Sequence, residues 1–370
     1  MPESHAQRRQ HLRSRLHERE LDAVLVTDLL NIRYLTGFTG SNAALLVHTA
    51  DEPGAEPRTV LCTDGRYTAQ AATQVPDLEH VIERISDLAL AQRAGERAGQ
   101  YRRTGFESGH VTVDGLDGMA AAAGDAVQLL RAPGLVEELR LVKDETEIDA
   151  LRTACAAADL ALADLIGQGG IRPGRSELQI ARDLEARMLD HGAVGPSFDT
   201  IVAAGANSAI PHHRPTDAVL VRGDLVKMDF GALVDGYHSD MTRTVVVGEP
   251  ADWQREIYEL VHTAQAAGSA AVRADADVRE VDAVARAVIA GAGYGEQFPH
   301  GLGHGVGLQI HEAPALSPRG DGRIRSGMAV TVEPGVYLPG QGGVRIEDTL
   351  VVRQSTAELL TSTTKELVAV

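Results

Sequence analysis

The stretch VKMDFGALVDGYHSDMTRTVVVG, residues 226–248, limits what this chain can fold into more than any other part of it. Asp235-Gly236 is a two-residue hairpin turn signal between runs rich in apolar and β-branched residues. With the turn there, Val234 pairs with Tyr237, Asp229 faces Thr242 and Asp240 faces Gly231. Side chains alternate between faces along a strand, so Asp229 and Asp240 project from one face as diagonal neighbours, with Cα atoms ~7–8 Å apart. Two carboxylates set that way in an apolar hairpin repel, and at least one keeps a proton. A divalent cation, or a pair of them, removes the conflict.

A second hairpin repeats the pattern. Glu333 lies in AVTVEPGVY and Glu347 in GGVRIEDTLVV, with the loop LPGQGG between them. Arg345, two residues before Glu347, shares its face and can orient or balance that carboxylate. A fifth element, HGLGHGVGLQIHE (residues 300–312), carries three histidines among glycines; it is a poor helix and a poor core strand, and is expected to be a tight loop. A histidine joined to carboxylates suits manganese, cobalt, zinc or iron better than magnesium or calcium. Asp229, Asp240, His304, Glu333 and Glu347 suffice for two metals sharing bridging carboxylates. Two ions ~3.5–4 Å apart can hold a hydroxide and polarise a carbonyl, which is hydrolytic chemistry.

The rest of the chain sets the frame. At 370 residues two domains are expected. Strand-like runs at residues 22–27, 42–48 and 59–64 alternate with helical ones, and residues 116–130 read as a closing helix. This predicts an α/β N-terminal domain over residues 1–135. From 136 to 370 the class is α+β: helices at about 145–167, 176–191, 253–273 and 278–292, with a strand hairpin after each pair. Asp144 with Glu147 marks a helix start. The formal charge of −17 excludes nucleic acid as the main partner, since phosphate binding needs a basic footprint. The basic run HAQRRQHLRSRLHERE reads as a solvated amphipathic helix. No apolar run reaches the ~20 residues of a membrane span, no leader pattern is visible, and Cys62 and Cys155 read as ordinary buried thiols. These features point to a cytoplasmic protein with no membrane partner.

The motifs MDFGALVDGYHSDMTRT, HGLGHGVGLQIHE, TVEPGVY and VRIEDT resemble, in order and spacing, the pita-bread metallopeptidases, specifically the aminopeptidase P and prolidase branch. The likeness extends from about residue 145 to the end, and more loosely to DLLNIRYLTGFTGSNA and TDGRYTAQA. It implies a creatinase-like N-terminal capping and dimerisation domain and a pita-bread (creatinase/aminopeptidase-like) catalytic domain built of two pseudo-twofold halves. By position it implies that Asp240 and Glu347 bridge two divalent ions, Mn2+ first with Co2+ or Zn2+ as options. Asp229 would complete one ion, and His304 and Glu333 the other. It makes Glu333 also a proton handler, His212 the histidine that assists the oxyanion, and His311 a contact of the scissile carbonyl or leaving group. His300 and Arg345 would line the substrate pocket, Arg345 beside the bridging glutamate; His213 has no counterpart.

The implied reaction is hydrolysis of the bond before proline at a free N-terminus, with peptides bearing proline second as partners and a homodimer as the assembly. The segment HEAPALSPRG has Ala315 where several prolidases carry an arginine for the dipeptide carboxylate. That favours an aminopeptidase P-like activity, with Xaa-Pro dipeptidase as the alternative. Hydrolysis of another small amide, or a non-catalytic binding role, ranks behind both.

Overall fold

The computed structural model describes residues 2–49 and 58–370, and the chain divides into two compact units, Met1–Arg140 and Leu141–Val370. The first unit runs α1 (Pro2–Glu18), β1 (Ala23–Val26), α2 (Leu29–Thr36), β2 (Ala43–His48), β3 (Val60–Thr63), α3 (Thr68–Gln74), β4 (Glu79–Ile82), α4 (Ser86–Glu96), β5 (Arg103–Phe106), α5 (Val113–Ala123), β6 (Gln128–Arg131) and α6 (Glu137–Arg140). Its strands form one mixed sheet in the order β4-β3-β2-β1-β5-β6. β1, β2 and β3 are buried at every position, which is why they read as continuous apolar runs; the edge strands β4 and β6 are partly exposed.

Two expectations are corrected here. The segment 116–130 is not one helix: α5 stops at Ala123, capped by Gly124 at φ 71°, and Gln128–Arg131 joins the sheet parallel to β5. The basic N-terminal helix is amphipathic, with Gln7, His11, Ser14 and Glu18 exposed, but three of its arginines are not on the solvated face. Leu12 and Leu16 are buried as the spacing predicts, but so are Arg8, Arg9 and Arg13. Arg8 donates to the Tyr34 carbonyl (3.0 Å) and Arg9 to that of Leu35 (2.7 Å), while Arg13 reaches Thr59 Oγ1 (2.8 Å). Tyr34 and Leu35 lie in the last turn of α2, whose carbonyls have no helical partner, so guanidinium groups there satisfy both the hydrogen bonds and the helix dipole.

The second unit begins with α7 (Glu145–Gly167), opened by a capping box between Asp144 and Glu147, and α8 (Glu177–Asp190), opened by one between Ser176 and Gln179. Then come β7 (Gly195–Pro196), β8 (Ile201–Ala204), β9 (Leu225–Phe230), β10 (Ala232–Val234), β11 (Tyr237–His238) and β12 (Met241–Val246). The order recurs with α9 (Asp252–Ala271), α10 (Val278–Gly291), β13 (Gly303–Gly305), β14 (Glu312–Leu316), β15 (Ala329–Val332), β16 (Gly335–Leu338), β17 (Gly342–Arg345), β18 (Asp348–Val352) and β19 (Ala357–Leu359). Each half has its own core. Leu162, Ile180, Leu184, Met228 and Val245 pack in the first; Val261, Val281, Ile289, Val330 and Leu350 pack in the second. Together the two units make an α/β domain followed by a mixed α+β domain.

The halves meet along β12. The Glu347 amide donates to the Thr242 carbonyl (3.1 Å), Thr244 Oγ1 to the Arg345 carbonyl (3.0 Å), and Thr349 Oγ1 to the Asp240 carbonyl (2.8 Å). That stitching brings the acidic positions of the two hairpins to one place. Among the described residues no helix is long and apolar enough to cross a membrane.

Candidate metal centre

The turn at Asp235-Gly236 sets the first hairpin. Both residues have positive φ, 49° and 76°, the pair of left-handed conformations that a two-residue turn of matching twist requires. Val234 pairs with Tyr237, Met241 with Phe230 and Thr242 with Asp229. Asp229 and Asp240 therefore share a face, as the sequence predicts. In the second hairpin Val332 pairs with Asp348 and Gly335 with Arg345, a register that carries Glu333 across from Glu347.

His304 arrives by a different route from the one expected. It lies not in a loop but on β13, an inner strand between β14 and β15. Glycine makes this possible: a Cβ at Gly303 would lie 2.0 Å from the Thr331 carbonyl oxygen, and one at Gly305 2.2 Å from that of Ala313. The glycines thus permit a close-packed strand rather than a free turn. The His304 amide donates to Thr331 Oγ1 (3.1 Å), and its Nδ1 faces the Gly305 carbonyl (3.0 Å). A carbonyl only accepts, so Nδ1 carries the proton and Nε2 presents a lone pair. That Nε2 lies 3.5 Å from Asp240 Oδ2 and 3.4 Å from Glu333 Oε1.

Asp240, His304 and Glu347 each offer a ligand atom, all within 4.8 Å of one another. Asp229 and Glu333 border the same cavity, of about 350 Å³, together with His212 and His311. The His311 ring stands edge-on to His304, with centroids 4.4 Å apart. His300 and Arg345 lie outside the cavity wall. His300 is held by the Gly301 carbonyl (2.8 Å) and Tyr337 Oη (2.9 Å). Arg345 is buried behind the site, where it donates to Asp229, Thr242 Oγ1 (3.0 Å) and Tyr337 Oη (2.8 Å). It reaches Glu347 through Thr242, whose hydroxyl donates to Glu347 Oε2 (2.7 Å).

Four carboxylates around one guanidinium leave a buried excess of negative charge. Burial, and then the charges of Asp229 and Glu333, push the Asp240 carboxyl well up. Burial followed by Asp240 and Glu333 does the same to Glu347, and burial lifts Glu333 to about 8. Burial also holds His304 down at about 4, so its lone pair stays available at neutral pH. Asp229 Oδ1 is buried with no hydrogen-bond partner. An orphaned carboxylate oxygen, an imidazole lone pair and a cluster short of positive charge fit divalent cations.

Four contributors escaped the sequence reading. Thr242 and Thr331 could have been found by spacing, since they lie two residues from Asp240 and Glu333, each of which sits just beyond the end of the threonine's strand. Glu177 and Lys227 could not, because their partners come from the irregular segment before β9: Lys227 Nζ donates to the carbonyls of Ile210 (2.6 Å) and Pro211 (3.2 Å). His213, given no role by the sequence, is buried and bonded to Glu177 (2.8 Å).

Comparison with known proteins agrees with this geometry. Residues 149–354 match the model of metallopeptidase family M24, and residues 8–142 that of the creatinase/prolidase N-terminal domain. The chain is 41% identical to an uncharacterized peptidase of Bacillus subtilis, YqhT, over 96% of this chain and 98% of that protein. Among solved structures, the Xaa-Pro dipeptidase of Bacillus anthracis superposes with a TM-score of 0.92 at 40% identity, covering 99% of this chain and 100% of that one. The X-Pro aminopeptidase of Thermotoga maritima gives 0.87 at 35% identity, covering 95% and 99%.

Proposed function

This chain belongs to metallopeptidase family M24, and from that premise we propose that it hydrolyses the Xaa-Pro bond at the free N-terminus of peptides, in the manner of aminopeptidase P. The observation that carries the reading is the convergence of Asp229, Asp240, His304, Glu333 and Glu347 on one cavity, with Asp229 Oδ1 buried and orphaned. Those five would hold two divalent ions, manganese first, with Asp240 and Glu347 shared between them. Two such ions supply a nucleophile at neutral pH and an electrophile for the scissile carbonyl.

The chain's own groups do the rest. Glu333 takes and returns the proton of the attacking water. His212, on the cavity wall, donates to the oxygen on which negative charge develops, and His311 meets the carbonyl or the leaving prolyl nitrogen. Arg345 holds Asp229 in place and, through Thr242, Glu347. An Xaa-Pro bond has no N–H to engage, so recognition falls to the free amine, which the acidic wall attracts, and to the shape of the ring. His300 acts from behind the wall, bonded to Tyr337, whose hydroxyl also meets Arg345.

The rim favours longer peptides. Arg214 and Asp199 border the cavity with side chains 89% and 92% exposed, leaving room for residues after proline. A second reading, Xaa-Pro dipeptidase, draws on the same pair: among the described residues Arg214 is the one guanidinium on the wall, and it could meet a dipeptide carboxylate. After loading with manganese, the protein is assayed on Ala-Pro and Ala-Pro-Ala. Cleavage of the tripeptide alone supports the aminopeptidase; cleavage of Ala-Pro alone supports the dipeptidase. Metal-replete protein inert to both rejects the Xaa-Pro reading. The proposed assembly is a homodimer formed through the N-terminal unit, and a monomer mass by light scattering would refute it.

A further inference from the structure

We propose that Glu177 and His213 form a buried clamp that positions His212 on the cavity wall, an inference that rests on the role given to His212 above. Glu177, at the first turn of α8, is 0% exposed, and its carboxylate serves one segment only. Oε1 accepts from the Ala204 amide (2.8 Å) and Asn207 Nδ2 (2.9 Å). Oε2 accepts from His213 Nε2 (2.8 Å), the Thr216 amide (2.9 Å) and Thr216 Oγ1 (2.7 Å). A carboxylate only accepts, so His213 carries its proton on Nε2. Burial pushes the Glu177 carboxyl up, but these donors outweigh it and hold it below the ordinary range, so it stays ionised.

The other side of His212 is fixed too. Its predecessor Pro211 offers its carbonyl to Lys227 Nζ (3.2 Å) and to Arg345 (3.2 Å). His212 is therefore one residue held between two anchored neighbours, in a segment with no regular secondary structure of its own. No backbone ladder fixes this histidine, so its aim depends on what grips residues 211 and 213. The Lys227 grip belongs to the strand that carries Asp229. The Glu177 grip comes from a helix that supplies no metal ligand. His213 is thus a positioning residue, and Glu177 its support.

The test is a double-mutant cycle on the metal-loaded enzyme with an Xaa-Pro peptide. His212→Ala is expected to lower kcat by about 10²–10³-fold. His213→Ala should lower it about tenfold or more, with KM and metal content unchanged. His212→Ala/His213→Ala should match His212→Ala alone, because the clamp has nothing left to aim. His213→Gln keeps an N–H for Glu177 and should recover kcat to within about threefold of the parent. In crystals of zinc-loaded His213→Ala the His212 ring should leave the cavity wall. Costs that multiply in the double variant, or a His212 ring unmoved in those crystals, overturn the clamp. Parent enzyme inert to Xaa-Pro peptides overturns the functional reading instead, and the crystals still decide the clamp.

Discussion

Lys143→Met tests how a buried ion pair supports the segment that carries His311. Lys143 Nζ lies 2.9 Å from Glu312 Oε2, and the two side chains are 1% and 6% exposed. At that distance and an effective dielectric of 20 the attraction is about 6 kcal/mol. Methionine keeps most of the stem and removes the charge. Glu312 then faces a choice: remain ionised without the ammonium, or take up a proton. Protonation caps the loss, because from an unfolded pKa of ~4.3 it costs about 3.7 kcal/mol at pH 7 and about 1 kcal/mol at pH 5. The sign follows from the folded pKa being raised in the variant: the penalty is absent below the unfolded pKa and grows as pH rises above it.

The expected result is therefore a loss of about 3–4 kcal/mol at pH 7, read as a fall of roughly 10 °C in the unfolding temperature of the second unit. Paired denaturant titrations of parent and variant at pH 5 and 7 would measure it directly. Lys143→Met/Glu312→Gln should recover most of the loss, since no buried charge remains. A penalty below about 1 kcal/mol at pH 7, or an equal penalty at both pH values, would refute the argument.

Other substitutions probe the site and the N-terminal unit. Thr242→Val deletes the hydroxyl between Arg345 and Glu347 and should weaken metal binding about 10–100-fold in competition with a chelator, with the fold retained. Chelating the metal should destabilise the protein increasingly with pH. Asp240, Glu333 and Glu347 have folded pKa values raised by burial and by neighbouring carboxylates, Asp229 among them, so stability falls as pH climbs from the ordinary carboxylate range through about 8. A metal-free protein whose stability is flat or rising over that range would contradict the charge balance described. Arg9→Met removes the donor to the Leu35 carbonyl and the bond to Asp77, and should cost about 2 kcal/mol in unfolding of the first unit.

What could be read in advance tracks how local its cause is. The Asp235-Gly236 turn fixes register within a few residues, so the shared face of Asp229 and Asp240 was legible from twenty-three letters. The capping box at Asp144 and Glu147 was legible for the same reason. Residues 116–130 read as one helix because their alanine and leucine content masks the capping Gly124. The setting of His304 was hidden, since a glycine that admits a neighbouring carbonyl looks the same in sequence as one that makes a turn. Arg8, Arg9 and Arg13 look like a solvated face because their acceptors lie far along the chain, on α2 for the first two and just before β3 for the third. Glu177 was the least visible: an acid at a capped helix start has a sufficient local explanation in the dipole, and only the segment folded over it shows otherwise.

The division of the second unit into two cores has a consequence for biosynthesis. Asp229 and Asp240 come from the earlier half; His304, Glu333 and Glu347 come from the later one. A nascent chain that has emitted only the first hairpin displays a bare pair of aspartates, a poor competitor for any transition metal in the cell. With the five groups holding metal as proposed, high affinity would arise only once the later hairpin has been translated and docked, so loading would follow synthesis rather than guide it.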